Sequence, residues 1–398
     1  MRSVLISGAG IAGPALAYWL GRAGFRPTVV EVASGPRTGG GAVDFRGAHL
    51  TVLERMGVLD DLHRVQTGGS PMRFVDAHGR RLMELPADFA GGELEVLRGD
   101  LGRILYEHSA PWAGYRFDDS VTALAQTPDG VEVGFASGER AVFDLVVGAD
   151  GVRSAVRRLA WGPHERYLRH QGYYVATWAV PGFAGLGRTS LLYNEPGRMA
   201  SVGGDHRDPA RAGAFVAFAS PELDYDRRDT ARQREFIAGA LAGMGWHTPR
   251  LLAALPDATD LYFDAICRID VTPWSQGRIA LLGDAACGAT IGGMGAGNAI
   301  VGAYVLAGEL AAAGGEHTVA FGRYERLLRG YAQRGQQGGQ NTGRFLAPRR
   351  AWAARLRNSL LNRPYFRNLM LREADDRTTA LHLPDYPELR EARRPDPV

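Results

Sequence analysis

The beginning of the chain carries a glycine-rich turn with the spacing Gly-x-Gly-x-x-Gly. An apolar segment that predicts a strand runs into Gly8, Gly10 and Gly13, and a helical pattern follows at once. In this arrangement the first glycine permits a tight turn, the second lets the backbone approach a phosphate, and the third lets helix and strand pack closely. Because the first turn of a helix has unpaired N–H groups, the turn, with Ile11 and Ala12, is expected to bind the pyrophosphate of a dinucleotide.

A second predicted strand supports this interpretation. A helical pattern from Ala12 to Ala23 leads into the apolar segment that ends at Glu31. Glu31 follows Gly8 by roughly 20 residues, which is the distance at which an acidic residue meets the ribose hydroxyls of a bound dinucleotide. Strand, helix, strand and acid in this order indicate a Rossmann-like nucleotide-binding unit.

The composition describes an ordinary globular protein with more than one domain. A chain of 398 residues exceeds the usual size of about 150 residues per domain, so two domains, interleaved in sequence, are expected. Apolar residues make up 45% of the chain and the formal net charge is +3, which argues against a disordered chain and against a nucleic-acid partner. All 46 basic residues are arginines, so a reaction that needs a lysine Schiff base is excluded.

No targeting or membrane-spanning pattern is evident, so a cytoplasmic location without a membrane partner is expected. The chain enters its first strand without a charged and apolar leader. The longest apolar helical stretch, Ala299 to Gly308, is shorter than the ~20 residues of a membrane span and predicts a buried helix. The only cysteines, Cys267 and Cys287, are too few for a disulfide scaffold or a zinc cluster. Two reduced thiols are favoured, although a single bridge stays possible, and no metal site is expected.

The pattern of elements predicts an α/β fold in which a Rossmann-like domain is interleaved with an antiparallel-sheet substrate domain and followed by a C-terminal helix. Short helices are expected near Leu50–Leu62 and Thr230–Met244, an antiparallel sheet over Gly172–Ala219, and a strand over Leu261–Ile269. The nucleotide-binding domain is predicted in three parts, 1–71, 97–165 and 270–345, with a substrate-domain hairpin at 72–96, the rest of the substrate domain at 166–269, and an amphipathic helical segment at 346–398.

Two further motifs follow predicted buried strands. One is Asp150-Gly151-Val152-Arg153-Ser154-x-x-Arg157, and the other is the segment from Arg278 through Gly283-Asp284-Ala285-Ala286. With the glycine-rich turn, these motifs resemble, in the same order and over nearly the whole length, the single-component FAD-dependent aromatic hydroxylases. That family includes p-hydroxybenzoate hydroxylase and the tetracycline-modifying monooxygenases.

The resemblance implies a set of residues that contact FAD. Asp284 ends a strand, where its carboxylate can accept a hydrogen bond from the ribityl chain, and the family uses its aspartate in that way. The following glycine-rich run begins a helix, whose amides and dipole would face the pyrimidine ring of the flavin. By the same resemblance, Gly293, Gly295 and Ala296 belong to that run, Arg98 contacts FAD, Glu31 and Arg37 lie on the ribose-phosphate side, and Arg46 meets the flavin or the nicotinamide cofactor.

Two positions carry a structural alternative. Asp150 lies near both cofactors in the family, but here it is more readily interpreted as the cap of the following helix. The family often has a histidine and then a proline after the Asp284 motif, whereas this chain has Cys287 and no proline before Ala296. Cys287 is expected to be a small packing residue.

The reaction implied by the resemblance is a monooxygenation. NAD(P)H, with NADPH favoured, reduces FAD, O2 then gives a flavin hydroperoxide, and an electron-rich carbon of a large aromatic or polycyclic, polyketide-like molecule is hydroxylated. No catalytic triad is expected, and no residue is assigned as catalytic. Apolar and aromatic residues of the predicted substrate sheet supply both core and pocket, in a division that the sequence leaves open: Trp178, Tyr193, Met199, Phe215, Phe218 and Tyr262.

Other functions remain open at this point. The same fold carries out Baeyer–Villiger oxidation, epoxidation or dehydrogenation, and a catalytically silent flavin-binding protein is a further alternative. Halogenation is disfavoured because the lysine on which flavin halogenases rely is absent from this chain. The oligomeric state is also left open.

Overall fold

The computed structural model describes residues 2–37, 39–183, 186–204, 210–291, 294–370 and 381–390. A mostly parallel sheet, termed the nucleotide sheet, has the strand order β17-β18-β11-β1-β2-β7, and only β17 runs antiparallel to its neighbour. Helices cover this sheet, so its central strands are buried along nearly their whole length and are built from continuous apolar runs. The strands are β1 (Ser3–Ser7), β2 (Arg26–Val30), β7 (Gly114–Arg116), β11 (Leu145–Gly148), β17 (Ser275–Gln276) and β18 (Ile279–Leu281).

The helices of the nucleotide-binding part include the one that follows the glycine-rich turn and the one that follows the Asp284 motif. No helix in the described ranges is long and apolar enough to cross a membrane, and the stretch predicted as a buried helix lies inside α10 and is buried. The helices are α1 (Ala12–Arg22), α2 (Ala48–Met56), α3 (Leu59–Arg64), α5 (Arg98–Ser109), α6 (Ala155–Trp161), α9 (Asp284–Cys287), α10 (Gly295–Ala312) and α11 (His317–Leu346).

A second sheet, termed the large sheet, has the strand order β16-β12-β15-β14-β13-β4-β5. Neighbouring strands are antiparallel except β13 and β4, which are parallel. The strands are β4 (Met72–Val75), β5 (Arg81–Leu85), β12 (Leu168–Pro181), β13 (Ser190–Glu195), β14 (Arg198–Gly204), β15 (Arg211–Ala219) and β16 (Tyr262–Ile269).

Smaller elements complete the described chain. A two-stranded ribbon and a short meander flank the nucleotide sheet, and one helix follows the long α11. These elements are β3 (Ala42–Phe45), β6 (Leu94–Leu97), β8 (Val121–Gln126), β9 (Val131–Phe135), β10 (Arg140–Phe143), α4 (Ala87–Gly91), α7 (Thr230–Leu241), α8 (Thr248–Ala253), α12 (Ala351–Leu361) and 3-10 turns at Ala110–Trp112, His164–Arg166 and Pro387–Leu389.

The α/β fold class and most predicted elements are confirmed, and the differences have local causes. The helix expected near 50–62 is divided into α2 and α3, because Gly57 ends α2 in the left-handed conformation with φ +78°. The helix expected up to Met244 ends at Leu241, just before Gly243, which also has a positive φ. The terminal helix was expected to bury its apolar residues, but Trp352 and Leu356 of α12 are exposed. The domain boundaries stay predictions.

The two faces of the large sheet pack against different elements. One face carries Tyr174, Trp178 and Phe218, and it packs under the apolar residues of α7 and α8. The opposite face carries Tyr173 and Met199, which cluster with residues at the end of α11 and in α12. Because side chains alternate between the faces of a strand, every second residue of β12, β14, β15 and β16 faces this second side. We call it the inner face.

A buried histidine joins three segments beside the start of α10. His49 is fully buried, and its Nδ1 accepts the backbone N–H of Arg46 at 3.3 Å. Its Nε2 therefore carries the proton and donates to the Tyr331 hydroxyl of α11 at 2.6 Å. A Cβ on Gly297, in the first turn of α10, would overlap the imidazole ring. His49 thus sets how closely α2, α10 and α11 approach one another.

His49 makes folding pH-dependent. Burial, assisted by the charge of Arg46, lowers the pKa of His49 to about 4 from its ordinary value of 6.5. The unfolded chain therefore binds more protons between these two values, so stability is complete above the unfolded pKa and falls as the pH drops toward 4. Between pH 7 and pH 5 the free energy of unfolding of the wild type is expected to fall by about 2 kcal/mol more than that of His49→Gln.

Urea unfolding of the FAD-free protein at both pH values measures this difference. Glutamine keeps a donor for Tyr331 but does not titrate in this range. His63→Gln, an exposed site on α3, is the control and is expected to retain the wild-type pH dependence. An identical slope for wild type and His49→Gln would contradict the prediction.

Candidate active site

The glycine-rich turn is held in place by contacts that only glycine permits. Gly8 has φ +106°, and its N–H donates to the carbonyl of Val30 at 2.7 Å. A Cβ on Gly8 would stand 2.7 Å from the carbonyl oxygen of Ala149. A Cβ on Gly13 would overlap the carbonyl oxygen of Gly8. The first and third glycines therefore serve close packing between β1, β11 and α1.

Gly10 has the opposite environment. No atom lies within 4 Å of the position that its Cβ would occupy. The helix α1 begins two residues later at Ala12, directly after Ile11, so the amides of its first turn have no partner within the helix. The open space at Gly10 and the helix end together fit a bound pyrophosphate.

The acidic residue at the end of β2 supports this turn. Glu31 is buried, and its Oε2 accepts the backbone N–H of Ala9 at 2.7 Å. Its Oε1 accepts the N–H of Ala33 at 3.1 Å and lies 4.0 Å from Nη2 of Arg37, whose side chain is mostly exposed. The carboxylate therefore fixes the glycine-rich turn, and Arg37 stands beside it at the surface.

Arg98 lies between a glycine-rich loop and the Asp284 motif. It is the first residue of α5, and its N–H donates to the carbonyl of Gly41 at 3.1 Å. Its side-chain stem would be 3.2 Å from a Cβ on Gly40, which has φ +123°. The guanidinium interacts electrostatically with the carboxylate of Asp284 and the hydroxyl of Tyr262. Arg98 thus lies between the loop at Gly40 and Gly41 and the third motif.

The carboxylate of Asp284 has no hydrogen-bond donor among the described residues. Burial raises the pKa of Asp284, although the positive charge of Arg98 opposes the shift. Within the described ranges, no side chain or backbone amide forms a hydrogen bond to this carboxylate. Gly295 begins α10 beside it, and a Cβ there would stand 3.0 Å from Oδ1 of Asp284. A desolvated carboxylate without a donor is suited to accept hydroxyl groups of a ligand, such as those of a ribityl chain.

The glycine-rich run after Asp284 is described in part. Gly293 lies outside the described residues. Met294 adopts the left-handed conformation with φ +54°, and α10 begins at Gly295, followed by the half-buried Ala296. The N-terminal end of α10 therefore follows a sharp turn beside Asp284. The first amides of the helix are available to a ligand there.

Arg46 has a different position from that of Arg98. Its buried guanidinium donates from Nη2 to the carbonyls of Asp88 and Phe89, at 2.5 and 3.0 Å. Its Nε lies 3.4 Å from Oδ2 of Asp44. These contacts join β3 to α4, so this arginine stabilises the loop whatever else it contacts.

The second motif lies between the other two motifs. Asp150 Oδ2 accepts the backbone N–H groups of Ala155 and Val156, at 2.8 and 3.1 Å, which is the predicted capping role. Its Oδ1 is buried without a hydrogen-bond partner, and burial raises the pKa of Asp150. Arg157 is completely buried and donates to the carbonyls of Val152 and Ala285, at 2.5 and 2.8 Å.

Arg157 belongs to the second motif, but its role could not be predicted from the sequence. A fixed arginine four residues after an Asp-Gly-x-Arg segment is the only signal, and its burial cannot be predicted without the partner carbonyl of Ala285. The guanidinium attaches the loop after β11 to the turn after β18. Cys287, in that same turn, has its pKa raised to about 12 by burial, which agrees with its expected packing role.

The inner face of the large sheet presents a continuous row of residues across its strands. The row begins at the exposed Tyr262 on β16 and continues through the half-buried Thr177 and Phe215 to the buried Ser201. We call it the inner row. In strand order its members are Tyr262, Thr177, Phe215, Ser201, Leu192, Phe74 and Met83.

The large sheet divides the apolar and aromatic residues named from the sequence between its two faces. Trp178, Tyr193 and Phe218 belong to the core under α7 and α8. Phe215 and Met199 lie on the inner face, and Tyr262 lies there with 45% of its surface exposed. Thr177 and Ser201 were missed, because hydroxyl residues within strands have no distinctive spacing.

Three arginine side chains lie around the exposed end of the inner row. Asp264, two residues after Tyr262 on β16, accepts Nη1 of Arg227 at 2.8 Å and lies 3.8 Å from Nη2 of Arg153. Burial raises the pKa of the Tyr262 hydroxyl, while Arg98 lowers it. Arg153 comes from the second motif, so this cluster joins the nucleotide-binding part to the large sheet.

Comparison with known proteins agrees with this site. A family model described as FAD binding domain matches residues 1–341. A flavin-dependent monooxygenase of Legionella longbeachae is 39% identical over 341 residues, covering 84% of this chain and 87% of the relative. The crystal structure of tetracycline destructase Tet(55) superposes with a TM-score of 0.85 at 36% identity, covering 97% of this chain and 99% of that one.

A more distant structure shares the fold alone. Klebsiella pneumoniae HpxO, complexed with FAD and uric acid, superposes with a TM-score of 0.77 at 21% identity, over 95% of this chain and 97% of that one. The match over most of the chain, together with the glycine-rich turn and the Asp284 carboxylate, shows that this protein belongs to the FAD binding domain family and is an FAD-dependent monooxygenase.

Proposed function

We propose that this monooxygenase uses NAD(P)H, with NADPH favoured, and O2 to hydroxylate a large aromatic or polycyclic, polyketide-like small molecule. The observation that carries the proposal is the inner row, whose exposed end at Tyr262 adjoins Arg98 and, through it, Asp284. Phe215 offers an aromatic face, while Thr177 and Tyr262 offer hydroxyl groups on the same side. Such a surface suits a flat ring system that carries oxygen substituents.

The relatives support a polycyclic substrate. Two solved structures at 31% and 36% identity are tetracycline destructases, and each covers 97% of this chain. Fungal relatives at 33% and 36% identity are also flavin monooxygenases. A tetracycline and simpler polycyclic phenols are therefore the first compounds to test.

The FAD would be held at the edge of the nucleotide sheet where β1, β11 and β18 end. We call it the ligand edge. We assign the pyrophosphate to the turn and the helix α1, the ribose to the side of Glu31 and Arg37, and the ribityl chain to Asp284. Arg46 is assigned to the loop instead, because its guanidinium is bonded to the carbonyls of Asp88 and Phe89. The proposed FAD contacts are Gly8, Gly10, Ile11, Ala12, Gly13, Glu31, Arg37, Arg98, Asp284, Gly293, Gly295 and Ala296.

The protein supplies binding, orientation and exclusion of water. When bound, FAD would supply hydride acceptance from the nicotinamide and activation of O2 for transfer of one oxygen atom. The amides at the start of α10 would stabilise negative charge on the flavin, since they lie at the positive end of a helix. The buried apolar residues beyond Ser201 in the inner row would exclude water from that side of the proposed substrate site.

Oxygen incorporation tests the proposed reaction. The purified protein is expected to bind FAD and to consume NADPH faster when a suitable polycyclic substrate is added. Under 18O2 the product is expected to gain one labelled oxygen atom, measured by mass spectrometry, with the carbon skeleton intact by NMR. A product without label would indicate dehydrogenation, a ring-expanded product would indicate Baeyer–Villiger oxidation, and FAD that NADPH never reduces would indicate a silent binding protein.

Asp284→Asn is expected to change FAD affinity and apoprotein stability in opposite directions. The amide removes a desolvated charge, so the FAD-free variant is expected to melt at a higher temperature than the FAD-free wild type. It also removes a charge-assisted hydrogen bond of about 1.5–3 kcal/mol, so the Kd for FAD is expected to rise at least about tenfold. Fluorescence titration and thermal melting measure both effects.

The control is Asp144→Asn, just before β11 at the opposite end of the nucleotide sheet. Asp144 accepts the N–H and hydroxyl of Ser3, at 2.6 and 2.8 Å. This variant is expected to lose stability and to keep the wild-type affinity for FAD. Equal FAD affinity in Asp284→Asn and the wild type would show that Asp284 does not contact the cofactor.

Phe215 and Phe218 provide a matched test of the substrate face. Both lie on β15, but Phe215 faces the inner side and Phe218 faces α7 and α8. Phe215→Ala is expected to raise KM and to uncouple NADPH oxidation from product formation, with a small loss of stability. Phe218→Ala is expected to cost about 3–5 kcal/mol of stability with an unchanged KM. Equal KM values for Phe215→Ala and the wild type would contradict this assignment.

A further inference from the structure

The outer surface of α12 and of the residues after it exposes several large apolar side chains. Trp352 and Leu356 are one helical turn apart on α12, with 59% and 50% of their surfaces exposed. Tyr365, Phe366 and Leu369 follow, and Tyr365 is 73% exposed. Leu82 of β5 is also exposed and lies beside them, because Asn362 donates to its carbonyl at 2.7 Å. We call these six residues the α12 patch.

The segment that carries five of the six patch residues bears charges of a single sign. The segment 349–370 contains six arginines and no aspartate or glutamate, whereas the whole chain has 46 basic and 43 acidic residues. On α12, Arg355 is exposed between Trp352 and Leu356, and Arg350 and Arg363 are exposed at its two ends. Apolar and cationic side chains are thus interleaved on one surface.

The inner side of the same helix is firmly attached to the protein. Arg357 donates to Oδ1 of Asn194 at 2.8 Å, and its guanidinium stands 4.3 Å from the centre of the Phe74 ring. Leu361 is buried in the inner-face cluster. The helix therefore directs an arginine and few of its apolar residues inward, which leaves Trp352 and Leu356 at the surface.

We propose that the α12 patch is a docking surface for an anionic lipid bilayer. Exposed arginines attract acidic headgroups, while tryptophan, tyrosine, phenylalanine and leucine side chains enter the region between headgroups and acyl chains. The long arginine stems allow their charged ends to stay at headgroup level while the aromatic rings insert. The complementary charge and the clustering of aromatic residues favour this occupant over a protein partner.

The docking is peripheral. This proposal differs from the sequence-based expectation of no membrane partner, which considered only a membrane-spanning segment. No described helix is long and apolar enough to span a membrane, and peripheral docking does not require one. A second consequence rests on the proposed function. Because α12 packs on the inner-face cluster with Phe74, docking would bring the proposed substrate pocket close to a membrane that dissolves apolar aromatic compounds.

Co-sedimentation of the FAD-loaded protein with lipid vesicles tests the docking, independently of activity. Binding is expected to vesicles that contain phosphatidylglycerol, but not to phosphatidylcholine alone, and it is expected to fall in high salt. The double variant Trp352→Ser/Leu356→Ser and the triple variant Arg350→Gln/Arg355→Gln/Arg363→Gln are each expected to lower the vesicle-bound fraction at least about tenfold.

Matched variants elsewhere on the surface serve as controls. Val142→Ser/Leu327→Ser removes two other exposed apolar side chains, and Arg140→Gln/Arg158→Gln/Arg326→Gln removes three other exposed arginines. Both are expected to bind vesicles as the wild type does, and the flavin absorbance of every variant reports its folding. Absence of lipid-dependent binding, or equal loss in controls and patch variants, would overturn the proposal.

Sedimentation velocity without lipid completes the test. A dimer that Trp352→Ser/Leu356→Ser dissociates would mean that a second copy of the chain covers the patch, and it would overturn the proposal. A monomer in solution that binds only acidic vesicles would support it. If docking holds and no oxygenation is found, the docking stands and the proposed function alone fails.

Discussion

The ligand edge depends on the parallel pairing of β1 with β11 and of β11 with β18. Parallel strands end at the same edge of a sheet, so Gly8, Asp150 and Asp284 meet there although they are far apart in the sequence. The pairing alone leaves the loops after the strands unconstrained. Arg157 supplies the constraint, because its buried guanidinium bonds the loop after β11 to the turn after β18. An arginine with no exposed surface is costly to desolvate, and its two carbonyl partners offset part of that cost, although its Nε has no hydrogen-bond partner among the described residues.

The features that could be predicted from the sequence are those set by the local backbone. The spacing of Gly8, Gly10 and Gly13 was sufficient to predict the strand, turn and helix around them, whereas the contacts of Gly8 with Val30 and Ala149 appear only in the fold. Phe215 and Phe218 could be assigned to opposite faces by alternation, but only the packing of α7 and α8 decides which face is the core. The terminal helix was predicted correctly, but the burial of its apolar residues was not, because amphipathic patterns assume that apolar residues point inward. In α12, Arg357 occupies the inner side by stacking on Phe74.

Two carboxylates at the ligand edge illustrate how similar groups acquire different tasks. Glu31 is satisfied within the protein, because it accepts the backbone N–H groups of Ala9 and Ala33. Asp284 receives no hydrogen bond from the described residues, and burial raises its pKa, so its ionised form is disfavoured. The first carboxylate therefore shapes the turn within the protein itself. Under the proposed function, the second would gain its hydrogen-bond donors from the ribityl chain of FAD, and satisfying it would add to the binding free energy.

The two faces of the large sheet differ in how far their side chains are buried. The face under α7 and α8 is closed by aromatic and aliphatic side chains, including the stacked Tyr174 and Phe218 rings. The inner row instead grades from the exposed Tyr262 through Thr177 and Phe215 to the buried Leu192. Under the proposed function, the hydroxyl groups of Thr177 and Tyr262 would bind oxygen substituents of the ligand, since a hydroxyl both donates and accepts hydrogen bonds. Substitutions on the inner row would then alter ligand preference while the opposite face maintains the fold.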